Sequence, residues 1–289
     1  MVQEILDLGF AHIELGYNLT LGLVPGVLEM VNRGSVTVTS VHNFCPVPTG
    51  APCGHPELFS LCSTNKHVWD AAQRHTTETI EFAAQVKAPT MVVHAGRVPM
   101  THLTTKLMGL CDAGKRYHPK FDRTKDKLLL KREKKAPKYV ERLHASIAQL
   151  LPILEKNKVC MALENLPSWE TIPNETEMQD IIDKFSSPWI AYWHDIGHGQ
   201  VRQNLTFINH LGSLDNLAPN MAGMHVHDVS ATAHDHLMPP RGDIDFSHFK
   251  RFIKPDTVLV LEPAPGTPGT HVVEAKQILE KAWAQDEEA

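Results

Sequence analysis

Seven short apolar, β-branched runs, each followed by an amphipathic helical pattern, leave this chain few folds to choose from. The runs fall at residues 10–16, 36–42, 90–96, 159–165, 189–195, 222–228 and 258–263. The helical patterns fall around 21–32, 69–86, 138–157, 175–185, 207–211, 246–253 and 272–283. Alternation of this kind calls for a parallel sheet covered by helices, and strands apolar on both faces suit that placement. A doubly wound open sheet satisfies the same alternation, but no glycine-rich phosphate loop follows any strand. The expected fold is therefore α/β, a (β/α)8 TIM barrel. Residues 2–8 read as a helix, so the first strand is missing from the chain start and two sheet edges are expected to lie unpaired.

The 289 residues suit one barrel of roughly 250 residues, so a single domain over 1–289 is expected, with an insertion at 97–137. A Pro/Gly/Cys-rich stretch at 43–67 also interrupts the rhythm. No apolar run approaches the roughly 18 residues of a membrane span. The opening Met1-Val2-Gln3-Glu4 lacks a basic region followed by an apolar stretch, so no secretory signal is expected. Five cysteines, an odd number without a CxxC pair, point to a reduced, cytoplasmic setting. Cys45, Cys53, His55 and Cys62 have spacings that fit no usual zinc module. Net charge is 28 − 33 = −5, which argues against non-specific nucleic-acid binding. The local exception is 115–142, with 12 Lys/Arg against 4 Asp/Glu, which we read as a solvated loop and helix face. An unpaired barrel edge would suit contact with a second copy of the chain.

Eighteen histidines are more than packing asks for, and their positions are informative. Six of the seven runs end in metal-ligand types: His42, His94, Glu164, His194-Asp195 with His198, His225 with His227, and Glu262. The first run, His12-Ile13-Glu14, is less clear. In a barrel such ends converge on one face. Ionised Glu164 after Met161-Ala162-Leu163, or Glu262 after Leu259-Val260-Leu261, would cost several kcal/mol to desolvate without a partner, and a shared divalent cation compensates for that. A turn after Asp195, which Gly197 permits, lets Asp195 and His198 both ligate and turns His194 into the surrounding packing. His225 and His227 share a face; Asp228 faces the other way and is expected to hold a loop or a histidine. In the loop after the sixth run, His234 and His236 can reach the metal face. Arg241 is a candidate for binding an anionic or hydroxylated substrate, and Asp245 for capping the next helix. Trp169 and Trp193 are candidates for stacking on a sugar ring, with core packing at least as good an account.

Taken in order, Val41-His42, Val93-His94-Ala95-Gly96, Leu163-Glu164-Asn165, His194-Asp195-Ile196-Gly197-His198, His225-Val226-His227-Asp228, His236 with Gly242-Asp243-Ile244-Asp245-Phe246, and Leu261-Glu262-Pro263 resemble the xylose isomerase-like TIM barrel superfamily. That superfamily includes sugar phosphate isomerases/epimerases and AP endonuclease family 2. The resemblance runs from about Phe10 to Glu262. It implies that Glu164, Asp195, His225 and Glu262 form the four-ligand site of the epimerase branch, in which the two glutamates exchange a substrate proton and His198 lies near a substrate oxygen. It also implies that His42, His94, His234 and His236 match the extra ligands of the trinuclear endonuclease branch. The chain departs from that branch at His234, usually aspartate, and at Pro240-Arg241-Gly242, where the pattern has Gly-x-Gly.

Two chemistries follow. The first is a metal-dependent sugar or sugar-phosphate isomerase/epimerase, with Glu164 and Glu262 moving the proton through an enediolate and one divalent cation (Mn, Mg, Co or Zn) polarising the substrate. The second is a phosphodiester hydrolase with two or three zinc ions, as in abasic-site repair, which the histidine-rich donor set favours. The sequence alone favours the first, with a small-molecule sugar as partner, no membrane association, and nucleic acid disfavoured by the charge.

Overall fold

A computed structural model describes residues 2–284. The strands are β1 His12–Leu15, β2 Thr37–His42, β3 Thr90–Val93, β4 Cys160–Glu164, β5 Ile190–Asp195, β6 Met221–Val226, β7 Asp228–Ser230, β8 His234–Leu237 and β9 Val258–Leu261. Seven of them form one sheet, every neighbour parallel, in the order β1-β2-β3-β4-β5-β6-β9. The sheet is nearly closed into a barrel with helices around it, and it has seven strands rather than eight. β7 and β8 form a separate antiparallel hairpin directly after β6. The sequence reading had only a loop there.

Alternation along the strands sorts the side chains. Met91, Val93, Met161, Leu163, Ile190, Tyr192 and Met224 join the large core between sheet and helices. Val92, Ala162 and Trp193 form a small interior layer, with Val258 and Val260 packed against it. Gly223 faces that layer, and a Cβ there would overlap the Trp193 indole. Trp193 is therefore a plug inside the barrel, not a surface for a sugar ring. One step further along the same strands, the inward positions are His94, Glu164, Asp195, His225 and Glu262. The apolar layer is the floor on which the polar one stands.

The insertion is more ordered than the solvated loop the sequence suggested. It folds into two helices, Leu103–Asp112 and Pro119–Lys135. Phe121 and Leu128 pack with Val201, Leu205 and Val229, and so clamp the insertion onto the segments that follow β5 and β6. Arg132 is buried, pairing with Glu177 at 2.7 Å and donating to the carbonyls of Trp169 and Thr171. Lys120, Arg123, Lys127 and Lys131 are exposed, in keeping with a solvated helix face. The helix expected at 207–211 is His210–Leu217 instead, started by the Asn209 side chain accepting from Gly212 N–H. No helix among the described residues is long and apolar enough to cross a membrane.

β1 and β9 end the sheet and face a cavity of about 830 Å³ lined by both. Leu259 in β9 is 41% exposed. Backbone groups on these edges lack the ladder that protects β3–β5. Amide exchange in β1 and β9 is expected to run at least about tenfold faster than in β4 and β5, read by mass spectrometry. Equal protection across all seven strands would mean that the seam is paired in solution.

Candidate metal centre

The polar layer gathers three donor groups whose ligand atoms lie within 4.8 Å of one another: His42, His94 and Glu164; Glu164, Asp195, His225 and Glu262; and His198, His227 and His236. Glu164 belongs to two of them through different oxygens. Its Oε2 is 3.0 Å from His94 Nε2 and 3.4 Å from His42 Nε2. Its Oε1 is 3.2 Å from His225 Nδ1 and 3.4 Å from His198 Nδ1. Glu262 Oε2 lies 3.3 Å from His225 Nδ1. Glu164, Asp195 and His225 are almost wholly buried, whereas the Glu262 side chain is 28% exposed and borders the seam cavity.

In His42, His198 and His225 one ring nitrogen is already committed, and this decides which nitrogen is free. His42 Nδ1 donates to the Asn43 carbonyl at 2.8 Å, so its Nε2 presents a lone pair toward Glu164 unless doubly protonated. His198 Nδ1 donates to the Asn165 carbonyl at 3.0 Å, leaving Nε2 bare. His225 Nε2 faces Glu14 at 3.1 Å, leaving Nδ1 to the carboxylates of the second group. A lone pair opposite a carboxylate is repulsive until a proton or a cation stands between them. Hydrogen bonds from the far nitrogens are also the usual means of orienting metal-binding imidazoles.

The charges agree. Burial alone would raise the Glu164 pKa, yet His94 and His225 beside it hold it well below the carboxylate range. Burial would depress His198, but Asp195 and Glu164 push it up to about 9. Burial is likewise outweighed at His225, where Glu262, Glu14 and Glu164 hold the imidazole charged well above its ordinary range. Four carboxylates therefore draw protons onto buried histidines, and divalent cations of the zinc type can replace those protons. Among the described residues, the buried atoms Glu262 Oε2 and His94 Nδ1 have no hydrogen-bond partner. The donor set fits bound divalent metal.

His236, Asp195 and their neighbours are aimed by the local backbone. Asn165 grips the Asp195 backbone from both sides, accepting from its N–H at 2.7 Å and donating to its carbonyl at 2.9 Å. His236 adopts φ +54°, uncommon for a residue with a Cβ, which sets its ring beside His227 and His198. His227 differs from its neighbours in the third group. Its Nδ1 accepts from the His236 N–H at 2.9 Å, so its proton sits on Nε2, directed at Asp195 at 3.0 Å. His227 thus orients Asp195 and leaves His198 and His236 as the open donors there. A Cβ at Gly197 would overlap the His227 ring, which explains the glycine.

Of the residues expected at the site, Glu164, Asp195, His225, Glu262, His42, His94, His198 and His236 converge. His234 does not: it is exposed on the hairpin, its Nδ1 3.3 Å from Ser230 Oγ. Period two sends it and His236 to one face only in a regular strand, and the turn at His236 breaks that rule. Arg241 is exposed and pairs with Glu274 at 2.6 Å rather than facing the centre. Trp169 stacks on Phe207 at 4.9 Å between Arg132 and Arg202, a packing role. His194 is buried against Tyr192 and His210, as expected, and Asp228 holds the loop by accepting from the N–H groups of Gly242 and Ile244. Asp245 caps the turn Phe246–Phe252. No cysteine enters a donor group among the described residues. Sequence reasoning gave no role to Glu14 or Asn165, and it placed His227 on the metal face beside His225 without its tie to Asp195. For Glu14 the available signal was its alternation with Ile13 and Leu15.

Comparison with known proteins agrees with this architecture. Protein MJ1614 of Methanocaldococcus jannaschii, itself uncharacterized, is 28% identical over 253 residues, which is 87% of this chain and 80% of that protein. An L-ribulose 3-epimerase structure matches with a TM-score of 0.69 at 13% identity, over 100% of this chain and 92% of the other. Protein TTHB071 of Thermus thermophilus, solved after soaking with zinc chloride, matches at 0.63 and 15% identity, over 97% and 93%. Likeness at these identities speaks for the fold. The xylose isomerase-like TIM barrel family model matches residues 2–282. The chain belongs to the xylose isomerase-like TIM barrel family.

Proposed function

We propose that this protein is a metal-dependent phosphodiester hydrolase whose centre holds two or three zinc ions around Glu164. The observation that carries the reading is Glu164 itself, with one oxygen toward His42 and His94 and the other toward His225. A carboxylate used on both sides is built to bridge, and it is poorly placed to be the free base that an enediolate route demands. His42, His94, His198, His225 and His236 make the donor set rich in imidazole, which suits zinc. When bound in such a centre, paired divalent ions activate water and neutralise charge on a phosphoryl group. His42, His94 and Glu164 would hold one ion; Glu164, Asp195, His225 and Glu262 a second; His198 and His236 would supply part of a third site. Glu262, the most exposed carboxylate of the second group, is the ligand that borders the cavity.

A second reading, the sugar isomerase/epimerase, is favoured by Glu164 and Glu262 sharing one donor group and by a fold shared with the L-ribulose 3-epimerase. Metal analysis together with two assays separates them. The first reading expects two to three zinc ions per chain and zinc-dependent cleavage of bis(p-nitrophenyl) phosphate or an abasic oligonucleotide. One ion per chain, with deuterium uptake into a ketose from heavy water and no phosphodiester cleavage, overturns it in favour of the second.

A further inference from the structure

We propose that Glu14 is a positioning residue of the metal centre: its carboxylate, held by Ser40, fixes His225 so that Nδ1 is the ligand nitrogen. The inference rests on metal being bound as argued above, and it adds to the centre a residue outside all three donor groups.

Glu14 and Ser40 are register partners in the β1–β2 ladder, which sets their inward side chains side by side. Ser40 Oγ donates to Glu14 Oε2 at 2.7 Å. The other oxygen, Oε1, faces His225 Nε2 at 3.1 Å. Glu164 Oε1 and Glu262 Oε2 face Nδ1 of the same ring, at 3.2 and 3.3 Å. The imidazole is thus held between carboxylates with different tasks. On the Nδ1 side the acids belong to a group able to share an ion. On the Nε2 side Glu14 is outside every such group. A carboxylate accepting from the far nitrogen locks ring rotation and tautomer and raises the basicity of the near nitrogen. Trp193 packs edge-on against the ring at 5.1 Å, and His42 stacks on it at 6.1 Å, so packing fixes the ring plane while Glu14 fixes its hydrogen-bonding sense.

The arrangement carries a structural consequence. Glu14 comes from β1, whose other edge borders the seam cavity, and Glu14 itself lines that cavity. The alignment of a central ligand therefore depends on one of the two edge strands of the sheet.

Zinc affinity of the full chain, measured by chelator competition, tests the proposal in Glu14→Gln, Glu14→Leu and Ser40→Ala. Removal of such an outer partner typically weakens metal affinity by about 10–100-fold. Glu14→Leu is expected at or above that range. Glu14→Gln should weaken binding less, since the amide oxygen still accepts from Nε2, and Ser40→Ala least. In the zinc-loaded wild type, nitrogen-15 NMR should show His225 with its proton on Nε2, and Glu14→Leu should lose that single tautomer. A role confined to packing would lower the melting temperature and leave affinity and tautomer untouched. Should Glu14→Leu fail to fold by circular dichroism, Glu14→Gln and Ser40→Ala decide. Wild-type affinity in Glu14→Gln together with Ser40→Ala, or in a folded Glu14→Leu, overturns the proposal. Absence of zinc binding by the wild-type chain instead overturns the proposed function.

Discussion

Replacing Glu164 with glutamine is expected to remove at least one bound ion per chain and to lower turnover by more than about 10³-fold. The amide keeps one acceptor oxygen but replaces the other with an N–H₂ group that can only donate. At present Oε2 serves His94 and His42 while Oε1 serves His225, so either amide orientation leaves one side without a shared donor. The loss falls on two groups at once. That separates Glu164 from His42 or His94, whose replacement should empty one group and spare the other. The fold should survive, because the apolar floor beneath the site, Val92, Ala162 and Trp193, is left unchanged. Elemental analysis, circular dichroism and steady-state rates check the three statements. A folded Glu164→Gln protein with wild-type metal content and rate would remove the bridging role and the mechanism built on it.

The barrel was legible because parallel strands covered on both faces have few ways to be written. Met161-Ala162-Leu163-Glu164 shows why the site was legible too: an ionisable residue ending an apolar strand needs a partner, and its inward parity is set by the same alternation that buries Ala162. Parity failed where the backbone leaves the strand. His234 and His236 look equivalent in the sequence, but the positive φ at His236 and the β7–β8 hairpin separate them. His227 shares a face with His225 by spacing, yet a backbone N–H from a residue nine positions later claims its Nδ1. Arg241 and Trp169 were chosen for residue type alone, and long-range partners, Glu274 and Phe207, took them up. Glu14 was hidden by a strand of only four residues whose partner, His225, lies 211 positions away.

The metal-free protein is expected to be most stable near pH 6 and to weaken on both sides, and zinc should abolish the alkaline loss. Burial favours neutral His198, but Asp195 and Glu164 raise its pKa from the ordinary 6.5 to about 9. A group raised on folding contributes stability that is complete below about pH 6.5 and is lost as pH climbs through about 9. His225, His42 and His227 are raised for the same reason and act in the same direction. On the acid side, Glu164 and Asp195 are lowered by their histidines, so their contribution is present above about pH 4.5 and is lost as pH falls. His210, which burial pushes down to about 4, also destabilises the fold as pH drops below 6.5, because only the unfolded chain takes up its proton there. The rise at His198 alone corresponds to about 3 kcal/mol, or about 5 °C in melting temperature between pH 6.5 and 9. Zinc removes that dependence because the cation takes the place of the protons, and its binding should release protons in the same pH range. Thermal melts from about pH 5 to 9.5, with a chelator and with zinc, measure both limbs. A chelator-treated protein whose melting temperature stays level from pH 6.5 to 9 would show that the buried carboxylates are not holding these histidines charged, and the electrostatic case for cations at this site would go with it.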